Sequence, residues 1–195
     1  CDAGAFLRML GDIVCQSTFP EAELERERQV ILHEYAEDED DALSTAFKLF
    51  DKACYGAHAV ARPVIGSRAN IRRFTRAEMV AYVQQQYTGA NTVVGIAGNV
   101  DAEQVVAEAV AAFGDMPRGR DNRVAAPDYV GGIHSRRMPG YNQAHVVLGF
   151  PIPGLLGEHQ GAVVAAALFG EGMSSPLLDR IRERRGLVYH ADCSA

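Results

Sequence analysis

Apolar residues recur every three or four positions through most of this chain, and in only three short runs do they cluster as in a strand. Phe6, Leu7, Leu10, Ile13 and Val14 share one helical face, which predicts a first helix ending near Cys15. Thr18-Phe19-Pro20-Glu21 has the form of a capping box with proline in the first turn, so a second helix is expected to run to about Tyr35. The acidic stretch from Glu37 to Asp41 looks like a loop or helix junction. Leu43, Ala46, Phe47, Phe50 and Cys54 predict a third helix that stops at Tyr55-Gly56, and an irregular loop follows to Asn70. Thr75-x-x-Glu78 is a second capping box, opening a helix to about Tyr87. Asp101 is placed to cap a helix through Val105, Val106, Val110 and Phe113.

Three runs read as strands: Asn91 to Ala97, Ala144 to Phe150, and Leu187 to Tyr189. Between the last two lie an Ala-rich helix, Gln160 to Phe169, and a short helix that Ser174 can cap and Gly186 stops. Helices alternating with short strands, which antiparallel pairing can join, predict an α+β fold. Residues 114–128, rich in Gly, Pro, Asp and Arg, read as a linker between a first domain at 1–113 and a second at 129–195. The chain begins inside a helix and stops inside a strand-like run, so it is expected to be an internal piece of a longer protein, and a missing targeting segment would carry no information.

Bulk properties narrow the function classes. At 48% hydrophobic and 23% charged residues the chain can build real cores. A net charge of −6 with no basic block argues against nucleic acid and anionic membrane. Cys1, Cys15, Cys54 and Cys193 show no C-x-x-C spacing, so free thiols in a reducing compartment are expected. The compartment this suggests is the cytoplasm, with the periplasm as the alternative.

The chemistry concentrates in two segments. At 100° per residue, Glu23, Glu27 and Glu34 of the second helix fall on one face beside Val30 and Ile31. A carboxylate beside apolar residues costs free energy unless it is paired, hydrogen-bonded or bound to a cation. Pairing with Arg26 or Arg28, or reaching out to solvent, is one reading and a metal ion another. Two acids do not make a zinc site, which takes three protein ligands and usually imidazole. The six histidines include no pair three or four residues apart. The second segment, Gly172-Met173-Ser174-Ser175 followed by Arg182-x-x-Arg185-Gly186-Leu187-x-Tyr189, combines an arginine and a tyrosine at fixed spacing.

Together these segments resemble the M16 zinc metallopeptidases, the pitrilysin, insulinase and processing-peptidase family. The run Glu25 to Glu34 is similar to the helix that supplies that family's third zinc ligand, after an earlier H-x-x-E-H helix whose two histidines bind the metal. Tyr55-Gly56-x-His58, Arg62-Pro63-x-Ile65-Gly66 and the stretch from Tyr82 to Gly98 continue the resemblance; Glu171 and Pro176 depart from it. The resemblance implies two similar two-layer domains, each a mainly antiparallel sheet with helices on one face, both truncated here. It implies Zn2+ held by Glu34 and by two histidines upstream of Cys1, with Glu27 in support. Arg182 and Tyr189 would contact the backbone of an extended peptide or unfolded protein. The implied activity is metalloendopeptidase, absent from this piece alone, in a homodimer or a hetero-oligomer with a similar chain. The alternative is a non-catalytic partner subunit of the same family.

Overall fold

The computed structural model describes residues 2–195, which form two compact units divided between Val147 and Leu148. In the first unit, helix α1 (Ala3–Cys15) lies against α6 (Ala102–Phe113). Leu7 and Val105 are buried in this seam, and Arg8 bonds Glu108 at 2.7 Å. Gly11 sits against the backbone of Ala112, where a side chain would not fit. Asp101 caps α6 by accepting from the Gln104 N–H at 2.8 Å.

Helix α2 (Glu21–Asp40) is followed at once by α3 (Ala42–Tyr55), which Asp41 caps through the Leu43 N–H. The acidic end of α2 stays helical even though negative charge at a helix C-terminus opposes the backbone dipole. The Lys48 ammonium and the Ser44 hydroxyl, both on α3, bond the Asp38 carboxylate and offset that penalty. The Lys48 bond, and after it the Ser44 bond, hold the Asp38 carboxyl below its ordinary range. A depressed folded pKa contributes stability that is complete above the unfolded value, about 3.9, and is lost as pH falls through the lower folded value. Asp38→Asn should therefore cost about 1 kcal/mol at pH 7 and almost nothing in strong acid. Denaturant unfolding at both pH values reads this, and a penalty that persists in strong acid would rule the pairing out as its source.

Gly56 ends α3 at φ 58. A 3-10 turn follows at Ala59–Ala61, and α4 (Arg68–Arg73) is capped by Ser67. The Thr75 capping box forms at α5 (Arg76–Gln86): Glu78 N–H donates to Thr75 Oγ1, and Thr75 N–H donates to Glu78 Oε2 at 2.8 Å. The bond from the Thr75 N–H, followed by the one from its hydroxyl, lowers the Glu78 carboxyl's pKa. The start of the expected linker is held by side-chain and backbone bonds. Gly89 and Ala90 N–H groups donate to Pro117 and Arg118 carbonyls, each at 2.8 Å, and the Asn91 amide bonds Arg120 O and Asn122 N.

In the second unit, α7 (Gln160–Ala166) continues into a π turn at Ala167–Glu171, and α8 (Pro176–Leu178) into another at Asp179–Glu183. Ser175, rather than the expected Ser174, caps α8. Residues 160–183 have the length and mean hydropathy, 1.3, of a membrane span. They do not form one rod, because Gly172 and Ser175 take extended backbone with ψ 154 and ψ 150.

The expected α+β sheet fold is not what this chain adopts. Its regular structure is helical, and there is no strand among residues 2–195. The three runs read as strands, 91–97, 144–150 and 187–189, remain unpaired. A strand exists only where a second segment completes its hydrogen bonds. Val93 is 96% exposed, so one run's apolar positions meet no opposing layer.

Candidate functional site

Helix α2 carries the two candidate acids and has no buried residue along its length. It meets α4 through the face that bears Leu24, Arg28, Ile31 and Tyr35, all partly covered. The Arg28 side chain is only 14% exposed. Its guanidinium donates to the Ile71 carbonyl and, at 2.7 Å, to the Phe74 carbonyl. Arg68 lies over the Tyr35 ring at 5.6 Å, a cation–π contact further along the same seam.

Glu23, Glu27, Val30 and Glu34 occupy another face, and all four are exposed. Arg26 bonds Glu23 at 2.7 Å and Arg28 bonds Glu25 at 2.9 Å. The bond from Arg28, and next that from Gln29, lowers the Glu25 carboxyl's pKa. The two arginines that could have neutralised Glu27 and Glu34 are thus engaged elsewhere. Among the described residues no hydrogen bond or ion pair reaches either carboxylate.

No three His, Cys, Asp or Glu side chains converge into a metal-binding group among the described residues. A zinc centre takes three protein ligands, so the donor this chain offers is one carboxylate with a second acid two turns away. A cleft of about 400 Å³ at the α2–α3 junction, lined by Asp40, Asp41, Tyr141, Gln143 and His145, includes neither candidate acid. Cys54 is buried, and desolvation followed by the charge of Asp51 raises its thiol pKa, which makes it a packing residue.

In the second unit Arg182 lies in the π turn that extends α8, with its Nε 3.6 Å from the Glu183 carboxylate. Gly186, at φ 59, turns the chain out of that helix: its N–H donates to Arg182 O and the Leu187 N–H donates to Ile181 O, both at 2.9 Å. Tyr189 follows and is 88% exposed. Arg182 and Tyr189 make no hydrogen bond to each other; Tyr189 is exposed and Arg182 is half-buried.

Residues 73–195 match a family model described as the peptidase M16 inactive domain. The chain belongs to the M16 peptidase family. This M16 chain is 32% identical over 185 residues to an uncharacterized zinc protease of Rickettsia bellii, covering 94% of the chain and 45% of that protein. It is 36% identical over 188 residues to an uncharacterized zinc protease of Mycobacterium tuberculosis, covering 93% of the chain and 43% of that protein. It spans about half the length of the curated relatives it matches. A protease from Helicobacter pylori shares its fold with a TM-score of 0.76 at 19% identity, over 98% of the chain and 48% of that protein. A peptidase M16 inactive domain from Pseudomonas fluorescens gives a TM-score of 0.74 at 21% identity, over 94% of the chain and 45% of that one. The family model includes Arg182 and Tyr189 but begins after Glu27 and Glu34, whereas the relatives align over almost the whole M16 chain.

Arg28 is the residue whose place the sequence reading missed. Sequence proximity makes it a counter-ion for Glu27 or Glu34, yet it is the cation that α2 turns toward its neighbour. The signal was its phase, since it falls four residues after Leu24 and seven before Tyr35, where a charge needs a built partner.

Proposed function

We propose that this chain contributes to a zinc-dependent metalloendopeptidase that cleaves extended peptides. The observation that carries the reading is the open, unpaired pair Glu27 and Glu34 on a helix whose arginines are occupied elsewhere. The printed names of the Rickettsia and Mycobacterium relatives, which call them zinc proteases, support it. Glu34 supplies one carboxylate ligand and two histidines come from outside residues 1–195. Glu27, two turns away on the same face, is the supporting acid. Bound zinc would supply an acidified water and a polarised scissile carbonyl. Arg182 donates to backbone carbonyls of the peptide, and the Tyr189 hydroxyl donates to the oxygen that gains charge during attack. Residues 1–113 belong in this reading to a first domain and 129–195 to a second, joined by 114–128. The partner of the assembled enzyme is a second copy or a similar M16 chain, in the cytoplasm.

A second reading has one observation in its favour: the family model over 73–195 is described as an inactive domain. In it the chain presents peptides through Arg182 and Tyr189 and leaves the metal to a partner. Zinc content and peptide cleavage separate the two. A polypeptide carrying residues 1–195 behind the coding sequence upstream of Cys1 should bind one zinc and cleave an unfolded peptide. Residues 1–195 alone should do neither. Absence of zinc from the longer polypeptide would favour the partner subunit, and cleavage by residues 1–195 alone would contradict both readings.

A further inference from the structure

A helix held by a buried apolar stripe is located by many non-directional contacts. Helix α2 lacks such a stripe, so its attachment depends on a few directional bonds. Two arginines supply them where α2 meets the α4–α5 joint. Arg28 Nη1 donates to Ile71 O and Arg28 Nη2 to Phe74 O, while Arg76 Nε and Nη2 donate to Phe19 O and Thr18 O, both at 2.8 Å.

The carbonyls that Arg28 meets lie at the C-terminal end of α4, where the last turn of a helix leaves its acceptors without donors and carries partial negative charge. A guanidinium is suited to this position, because its fork bonds two acceptors at once and fixes its own orientation. Arg76 acts at the other end of the arrangement. It holds the carbonyls of Thr18 and Phe19, and Phe19 has φ 47, a backbone region that a phenylalanine adopts only under constraint. The point where α2 begins is thereby set.

We propose that Arg28, with Arg76 as its counterpart, is a positioning residue that sets the rotation of α2 about its axis and so presents Glu27 and Glu34. This rests on Glu34 serving as a metal ligand. The helical phase explains how. At 100° per residue Glu27 and Glu34 lie roughly 100° and 120° around the axis from Arg28. With Arg28 seated on α4, both carboxylates stand on the flank of α2, clear of the α4 carbonyls. If α2 rolls toward them, Glu27 moves toward the negative end of α4 and Glu34 moves away from its flank position. A pair of hydrogen bonds that never touches the metal therefore governs the direction from which its carboxylate arrives.

The test uses the polypeptide that carries both residues 1–195 and the histidine pair, with Co2+ as the metal probe because its visible spectrum reports ligand geometry. Wild type, Arg28→Met, Arg28→Lys and Glu34→Gln are compared for Co2+ and Zn2+ affinity, for the visible spectrum at saturating metal, and for helix content. Arg28→Met should weaken metal binding about tenfold, at the low end for loss of a supporting partner, and should alter the cobalt spectrum at saturation. Arg28→Lys, with one ammonium for two carbonyls, should fall between Met and wild type. If Arg28→Met does not fold, Arg28→Lys decides, and an unchanged spectrum and affinity there overturn the proposal. Wild-type affinity and spectrum in a folded Arg28→Met, beside lost binding in Glu34→Gln, overturn the positioning role and leave the functional reading intact. Unchanged affinity in Glu34→Gln overturns the functional reading and this inference with it.

Discussion

Glu34→Gln is expected to lower zinc affinity by more than about a hundredfold, beyond the 10–100-fold typical of losing a supporting partner, and to leave the thermal midpoint where it was. The two expectations have separate causes. The carboxylate is exposed and bonded to nothing among the described residues, so an isosteric amide removes no internal interaction. What it removes is the anionic oxygen that a zinc ion selects over a neutral amide. Glu27→Gln should cost less, within the range for support. Glu23→Gln, which alters a carboxylate already paired with Arg26 at 2.7 Å, should leave zinc affinity unchanged. Competition with a chelator of known affinity measures all three in a polypeptide extended upstream of Cys1. Equal losses across the series would indicate a general charge effect and remove Glu34 from the ligand set.

Gly11→Val should destabilise the first unit by about 3 kcal/mol, the upper end for overpacking a close seam. A Cβ at Gly11 would stand 2.8 Å from the Ala112 carbonyl oxygen and 2.9 Å from the Ala112 Cβ. Both belong to the rigid body of α6 and yield only if the helices separate. The contrast with Gly4 sharpens the expectation. There the added Cβ would meet the Glu108 carboxylate at 2.9 Å, the far end of a flexible side chain. Gly4→Ala should therefore be near neutral, the helix-propensity gain of about 1 kcal/mol offsetting the displaced Arg8–Glu108 contact. Denaturant midpoints of the two variants give the comparison, and similar losses at both positions would show that α1 and α6 do not meet through Gly11.

The helices were legible where their determinants are local. Thr75 and Glu78 satisfy each other within one turn, and Asp101, Gly56 and Gly186 act on neighbours a few residues away. The sequence misled where a distant residue decides. Thr18 does not cap α2, because its carbonyl and that of Phe19 are bound by Arg76 and the chain enters the helix through Pro20. The helix continues past Tyr35 to Asp40 because Lys48 and Ser44 on the next helix neutralise Asp38. The expected strands failed for a related reason: the β-branched and apolar residues clustered in 91–97 or 144–150 record a tolerance for extended backbone, and the partner that would make it a strand is a property of tertiary structure. The candidate site was legible to the same depth. That Glu27 and Glu34 share a face follows from helical phase. That Arg26 and Arg28 leave them unpaired follows from Glu23, Glu25 and the α4 carbonyls.

A helix with no residue in a core can exchange its exposed acids without opening a cavity. Replacing Glu27 and Glu34 with other polar residues would leave the Arg28 and Arg76 bonds, the Asp38 pair and the α1–α6 seam untouched. The bonds that hold α2 and the proposed ligand Glu34 thus lie on different faces of the helix. On the proposed reading, a metal ligand on the open face could be lost or regained by substitution without disturbing the bonds that hold the scaffold.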